Sequence, residues 1–277
     1  MSEISQQTTL VLGGTGKTGR RVVERLRGGG RPVRVGSRRG DPPFDWDDRA
    51  TWTPALDGAT SAYVSYFPDL AAPGAAAAID AFAHLAVGSG VRRLVLLSGR
   101  GEVEAERAEQ IIREAGAGWT IVRASWFSQN FSESFFLEPV LDGEVALPVD
   151  GVAEPFVDAD DIADVVVAAL TEDGHAGQLY EVTGPRLLRF DEAVEEIAAA
   201  AGRPVRFVPV SIEQYAARLA EQGVPGGVLS LLTHLFTEVL DGRNARLADG
   251  VERALGRGAR DFRDYARDAA ATGVWNP

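Results

Sequence analysis

Apolar runs of four or five residues, each closed by glycines or a polar turn, alternate with amphipathic stretches through the first half of the chain. Thr9-Leu10-Val11-Leu12 is the first such run, and it predicts a buried strand. Lys17 to Arg27 then places Val22, Val23 and Leu26 on one face, and Gly28-Gly29-Gly30 stops it, as expected of a helix. Pro32 to Ser37 predicts a second strand, so the opening spells strand, glycine turn, helix, strand, one βαβ unit. The same rhythm gives strands over Ser61 to Ser65, Leu94 to Leu97 and Trp119 to Arg123, and helices over Gly74 to Val87 and Glu102 to Ala115. Strands alternating with helices predict an α/β fold with a parallel sheet covered on both faces.

After Arg123 the rhythm changes. An aromatic segment runs from Trp126 to Phe136, followed by a helix over Asp160 to Leu170 and a strand over Gln178 to Thr183. Asp191 is placed to cap a helix ending near Ala201, and Arg206 to Val210 reads as a strand. From Ile212 onward the pattern is helical, broken at Gly223 to Gly227 and Gly256 to Gly258. The division expected is a nucleotide-binding domain over residues 1–134 and a smaller, mainly helical lobe over 135–277, parts of which return to the sheet.

The turn after the first strand carries the clearest chemistry. Gly13-Gly14-Thr15-Gly16-Lys17-Thr18-Gly19 spaces glycines at 13, 16 and 19. The first allows a tight turn, the second lets main-chain amides approach a pyrophosphate, and the third lets helix and strand pack closely. With Thr15, Lys17 and Thr18 these glycines form the expected phosphate cradle, at a helix N-terminus whose free amides favour an anion. The strand–turn–helix context makes the architecture a Rossmann-type doubly wound sheet. A Walker loop fits less well: Gly16-Lys17-Thr18 matches its ending, but Gly13 lies three residues before Gly16 rather than five. At the end of the second strand, where NAD sites place an acid, stands Gly36-Ser37-Arg38-Arg39. Arg38 can fork onto a 2′-phosphate with Ser37 as a second donor, so NADP(H) is expected over NAD(H). Asp45 or Asp47 is placed to border the adenine.

Composition narrows the field. The chain has 277 residues and a net charge of −12, which argues against nucleic acid as the main partner. There are no cysteines, so disulfides, thiol nucleophiles and cysteine metal sites are excluded. No apolar stretch is long enough to span a bilayer, and the polar start, Met1 to Thr8, lacks a leader pattern, so a cytoplasmic location is expected. The three histidines, His84, His175 and His234, are too scattered for a metal site, and none is expected. Lys17 is the sole lysine among 28 basic residues.

An ordered set of segments resembles the NmrA-like group of atypical short-chain dehydrogenases/reductases over nearly the whole chain. It comprises the glycine turn, Val33 to Arg38, Phe44-Asp-Trp-Asp47, Leu56-Asp-Gly58 and Val91 to Ser98. It continues with Trp119 to Arg123, Phe127 and Asn130, Phe156 to Ala163 and Gly177 to Gly184. The resemblance implies a cleft between a Rossmann domain and a substrate lobe. It also implies that the segments after successive strands, Ser65-Tyr66-Phe67-Pro68, Leu97 to Gly99 and Arg123 to Phe127, line the nicotinamide side. The family holds quinone reductases, reductases of natural-product pathways and regulators that bind dinucleotide without turning it over.

The sequence departs from ordinary dehydrogenases in one respect. They use a Tyr with a Lys four residues later to supply a proton, and none of the five tyrosines here has a lysine at that spacing. Ser98, at the position of the family's active-site serine, is the one catalytic candidate, by hydrogen bonding to a carbonyl. Glu102, Glu104, Glu106 and Glu109 with Arg107 and Arg113 read as a solvated helix face. Hydride transfer to a quinone needs little help beyond placement. Trp126, Phe127 and Phe131, with Phe135, Phe136 and Asn130, are candidates to wall a slot for a planar aromatic or quinone substrate. The sequence therefore points to an NADP(H)-dependent reductase of a quinone or conjugated carbonyl, with aromatic natural-product metabolism as one setting. A non-catalytic NADP(H)-sensing regulator is the alternative.

Overall fold

The computed structural model describes residues 8–276; the polar start read above as lacking a leader lies, up to residue 7, outside the described residues. The chain opens with β1 (Thr8–Leu12), α1 (Lys17–Gly28), β2 (Val33–Gly36), α2 (Trp52–Leu56), β3 (Ala59–Val64), α3 (Ala75–Gly88), β4 (Arg93–Gly99), α4 (Val103–Glu114) and β5 (Gly118–Ala124). It then forms α5 (Asn130–Glu133), α6 (Leu137–Asp142), β6 (Glu144–Leu147), β7 (Ala153–Glu154), α7 (Ala159–Thr171) and β8 (Gln178–Val182). Last come β9 (Leu188–Arg189), α8 (Phe190–Ala201), β10 (Arg206–Pro209), α9 (Ile212–Glu221), α10 (Gly226–His234), α11 (Gly250–Leu255) and α12 (Phe262–Ala271).

Two compact units divide these elements. The first holds the chain up to Ala124, Ala159–Val182 and Asp249–Arg257. Its six-stranded sheet has the order β2-β1-β3-β4-β5-β8, and every neighbouring pair is parallel. The apolar runs of β1, β3, β4 and β5 are buried because helices cover both faces of such a sheet. Strand order reverses at β1, which has β2 on one side and β3 on the other, and ligands of open α/β sheets bind at that reversal. On the flank, Arg25 of α1 bonds Asp160 and Asp164 of α7 at 2.6 Å each, and Arg257, following α11, reaches Asp161 at 2.7 Å.

The second unit comprises Ser125–Asp158, Thr183–Ala248 and Gly258–Pro277. It carries two small sheets, β6 with β10 in parallel and β7 with β9 antiparallel. Phe131, Phe136, Phe156, Phe190 and Phe262 form its core with aliphatic residues of α6, β6 and α8. Two buried aromatics have their polar ends satisfied: Trp275 Nε1 donates to the Phe131 carbonyl at 2.8 Å and the Tyr265 hydroxyl to Ser132 Oγ at 2.8 Å. Arg186 forks onto Asp261 with two bonds of 2.7 Å and adds one of 2.8 Å to Glu196.

Two local expectations are corrected. Asp191 does not cap α8. The helix starts at Phe190, Arg189 occupies the cap position, and Glu192 reaches back to accept from the Arg189 amide at 2.8 Å. The acidic run on α4 is not uniformly solvated, because Glu102 and Glu109 are buried, only 9% and 1% exposed. They share the stripe Glu102, Ala105, Glu109, Ile112, whose steps of three and four residues face the sheet.

Candidate functional site

The glycine turn is built by close main-chain approach. Gly13 has φ +62°, a conformation glycine adopts without strain, and the Gly16 amide donates back to the Gly13 carbonyl at 2.8 Å. A Cβ on Gly19 would stand 2.1 Å from the Gly13 oxygen, so only glycine lets α1 start against the turn. Thr18 is buried, and its hydroxyl shares a 2.9 Å bond with the Tyr63 hydroxyl of β3. Thr18 thereby pins α1 to the sheet. Burial pushes the Tyr63 phenol far above its ordinary range, which removes it as a proton donor at neutral pH. Thr15 and Gly16 are exposed and Lys17 opens the helix. Among the described residues no side chain caps α1 and no acid stands in its first turn, so its free amides and positive end face outward from the turn.

The ends of β2 and β3 adjoin this turn. A Cβ at Gly13 would meet Ser65 at 3.5 Å. Trp46 Nε1 donates to the Ser65 carbonyl at 3.2 Å, and the Trp46 and Tyr66 rings lie 4.9 Å apart. The segment Phe44 to Asp47 therefore packs beside the one that follows β3, with Asp47 exposed and Asp45 in a turn closed by Trp52. Ser37 is half-buried. Arg38 is exposed and engages no acid among the described residues. Phe67 extends into solvent, 71% exposed.

At the end of β4, Ser98 is buried, and its hydroxyl donates to Glu109 Oε1 at 2.7 Å. Glu109 also accepts from Arg123 Nε at 2.8 Å and from its terminal nitrogen at 2.5 Å. A neighbouring pair joins buried Arg100 to half-buried Glu181 at 2.6 Å. Sequence reasoning missed this network, although Glu109 and Arg123 fall on a helix and strand adjacent in the fold. The second feature it missed is Glu102. Its carboxyl lies where a Cβ on Gly99 would be, 2.3 Å from that position, with Asp69 as its neighbour. Burial pushes this carboxyl up to about 9, and the charge of Asp69 and a hydrogen bond with it push the same way.

The aromatic candidates lie in the second unit. Phe131 and Phe136 are inside its core, Trp126 and Phe127 are half-buried, and Phe135 is exposed. Trp126 stacks on Phe136 at 6.3 Å, and buried Asn130 begins α5.

No family model matches the chain. Among curated relatives, it is 30% identical to the uncharacterized oxidoreductase YesF of Bacillus subtilis, over 98% of this chain and 99% of that one. It is 32% identical to a Streptomyces griseus enzyme named (4-alkanoyl-5-oxo-2,5-dihydrofuran-3-yl)methyl phosphate reductase, over 94% and 97%. Over 59% of this chain and 57% of the other, it is 35% identical to the NAD(P)H azoreductase of Xenophilus azovorans. Solved structures share the fold. Triphenylmethane reductase of Citrobacter sp., complexed with NADP(H), has a TM-score of 0.75 at 16% identity, covering 95% of this chain and 99% of that one. The NADPH-dependent quinone oxidoreductase QOR2 of Escherichia coli, with NADPH, has 0.78 at 18%, covering 94% and 99%. NmrA, a negative transcriptional regulator, has 0.72 at 18%, covering 97% of each. A parallel sheet with a glycine turn at its reversal, matched end to end by named oxidoreductases, defines a nucleotide-dependent oxidoreductase class. Within it, this chain belongs to the NmrA-like family of atypical short-chain dehydrogenases/reductases.

Proposed function

We propose that this chain is an NADP(H)-dependent reductase acting on a quinone or a comparably conjugated carbonyl. The observation that carries the reading is the uncapped, acid-free start of α1 behind the glycine turn, at the point where strand order reverses. The residues present fit a dinucleotide: a Cβ on Gly16 would lie 3.2 Å from the Gly13 oxygen and fill the space beside the exposed helix end. Gly13, Thr15, Gly16, Lys17, Thr18 and Gly19 would hold the pyrophosphate, Ser37 and Arg38 the 2′-phosphate, and Ser65, Tyr66 and Phe67 with the main chain at Ser98 the nicotinamide side. When bound, the cofactor supplies a hydride. Arg38 is uncommitted and no acid follows β2 directly, which favours the phosphorylated dinucleotide. Trp126, Phe127, Asn130 and Phe131 would be the contacts for the acceptor. The relative in S. griseus is named as a reductase of a dihydrofuran carrying an oxo and an alkanoyl group, a conjugated carbonyl, and another relative is named for azo reduction.

Calorimetry with NADPH and NADH, followed by steady-state assay with quinones, unsaturated ketones and azo dyes, tests the proposal. NADPH should bind more tightly, and Arg38→Ala should weaken NADPH by about tenfold while leaving NADH unchanged, a loss typical of one charge-assisted contact. Tight binding without turnover of any acceptor would sink the reductase reading. That outcome would favour the second reading, a dinucleotide-responsive regulator, which one observation supports: the Ser98 hydroxyl is consumed by Glu109 rather than presented to a substrate.

A further inference from the structure

We infer that Glu102, backed by Asp69, is the proton donor of this reductase, in place of the missing Tyr/Lys pair; the inference rests on the reductase reading above. Glu102 stands at the cap position of α4, three residues past Gly99, and Asp69 follows β3, the neighbour of β4 in the sheet. Both therefore sit at the carboxyl ends of adjacent central strands, where ligands of such sheets bind. Gly99 lacks a side chain at the spot the carboxyl occupies, so the acid lies directly on the end of β4.

Two further features mark this place as a surface built for a flat partner. The residues beside the acids are large, apolar and turned to solvent, Phe67 before Asp69 and Val103 after Glu102, the latter 69% exposed. Exposed apolar side chains beside a buried acid are poor for stability and useful for an aromatic acceptor.

The charged groups around the pair leave it without a counterion. Glu104 pairs with Arg107 at 2.8 Å, Glu106 faces Arg123 at 3.8 Å, and Arg100 bonds Glu181. Among the described residues no ion pair reaches Glu102 or Asp69, and Asp69 is the charged neighbour set against Glu102. A carboxyl so placed keeps its proton at neutral pH. As the acceptor is reduced by two electrons at the expense of the nicotinamide dinucleotide, electron density collects on its oxygen. The Glu102 O–H bond breaks and an O–H bond forms on that oxygen. Asp69, half-exposed, passes a solvent proton back to Glu102. The sum is one reduced dinucleotide and one proton consumed per acceptor.

Glu102→Gln in the full chain tests this. We expect kcat to fall about 10²-fold, the alkaline limb of the kcat profile to vanish, and NADPH affinity to stay within about twofold. Gly99→Ala puts a methyl group where the carboxyl lies, and the flexible Glu102 side chain can swing away. It should lower kcat similarly while the protein stays folded. A readout independent of turnover is carbon NMR of the chain with carboxyl-labelled glutamate, in which one resonance absent from E102Q should titrate near pH 9. An unchanged kcat profile in E102Q, or a Glu102 carboxyl titrating in the ordinary acid range, overturns the donor role and leaves the reductase standing. Failure of the unaltered chain to reduce any acceptor overturns the reductase reading and the donor role with it.

Discussion

The two buried glutamates on one helical stripe show how the environment decides what a carboxyl group is for. Glu109 lies in the middle of α4 with the Arg123 guanidinium forked onto it and the Ser98 hydroxyl donating to it. Charge and hydrogen bonds compensate its burial, and it holds β4, β5 and α4 together. Glu102, seven residues earlier, has similar burial and the opposite company, an acid instead of a base. The first arrangement is a structural ion pair; the second is a carboxyl group kept neutral at the rim of a sheet. The difference teaches that in this fold a buried acid without a cation is the one to test for chemistry.

The comparison breaks most readily at Glu109. Glu109→Gln strips half-buried Arg123 of its forked partner and leaves it only the more distant Glu106, and it should cost about 3 kcal/mol, measured by urea unfolding. Replacing Glu109 and Arg123 together by methionine should recover much of that loss, since a packed apolar pair avoids the desolvation cost. A second effect, confined to one pH window, follows at Glu102. Glu102 titrates near 9 in the folded chain and near its ordinary 4.5 when unfolded, so between those values the folded state holds a proton that the unfolded state has shed. Its contribution is therefore fully favourable below about 4.5 and is lost as pH rises to about 9. Thermal unfolding across that window should show E102Q gaining stability over the unaltered chain toward alkaline pH and matching it in acid. A gain in stability with a loss of turnover is the signature of a functional rather than a structural residue. The smallest effect is expected for Ser98→Ala, about 1 kcal/mol by urea unfolding, because Glu109 keeps both bonds from Arg123.

Legibility followed the range of the forces involved. The six strands of the sheet and the glycine turn were readable, because short apolar runs and glycine spacing are local signals of buried parallel strands and of a phosphate-sized turn. The short strands β6, β7 and β9 were not, since two to four residues carry too little periodicity and pair only because the second unit brings them together. Aromatic composition alone did not separate core from surface. Within Trp126 to Phe136, Phe131 and Phe136 are core residues, whereas Trp126 and Phe127 are half-buried and Phe135 is exposed. Meanwhile Phe44, Trp46, Trp52 and Phe82 form an aromatic cluster in the first unit that no single segment revealed. The buried glutamates were recoverable in principle, because their spacing matches that of Ala105, Ala108 and Ile112; reading all the charges as one surface hid it.

The small helix α11 has a consequence for how such proteins diversify. It comes late in the chain yet belongs with the sheet: a Cβ on Gly250 would lie 2.2 Å from the Glu181 carbonyl oxygen of β8, and Arg253 reaches the β8 residue Gln178 at 3.1 Å. The sheet-bearing half is thus stitched from three separate stretches, and a single genetic crossover cannot exchange the other half as a cassette. An engineer who truncates after β5 removes a sheet strand and two of its covering helices.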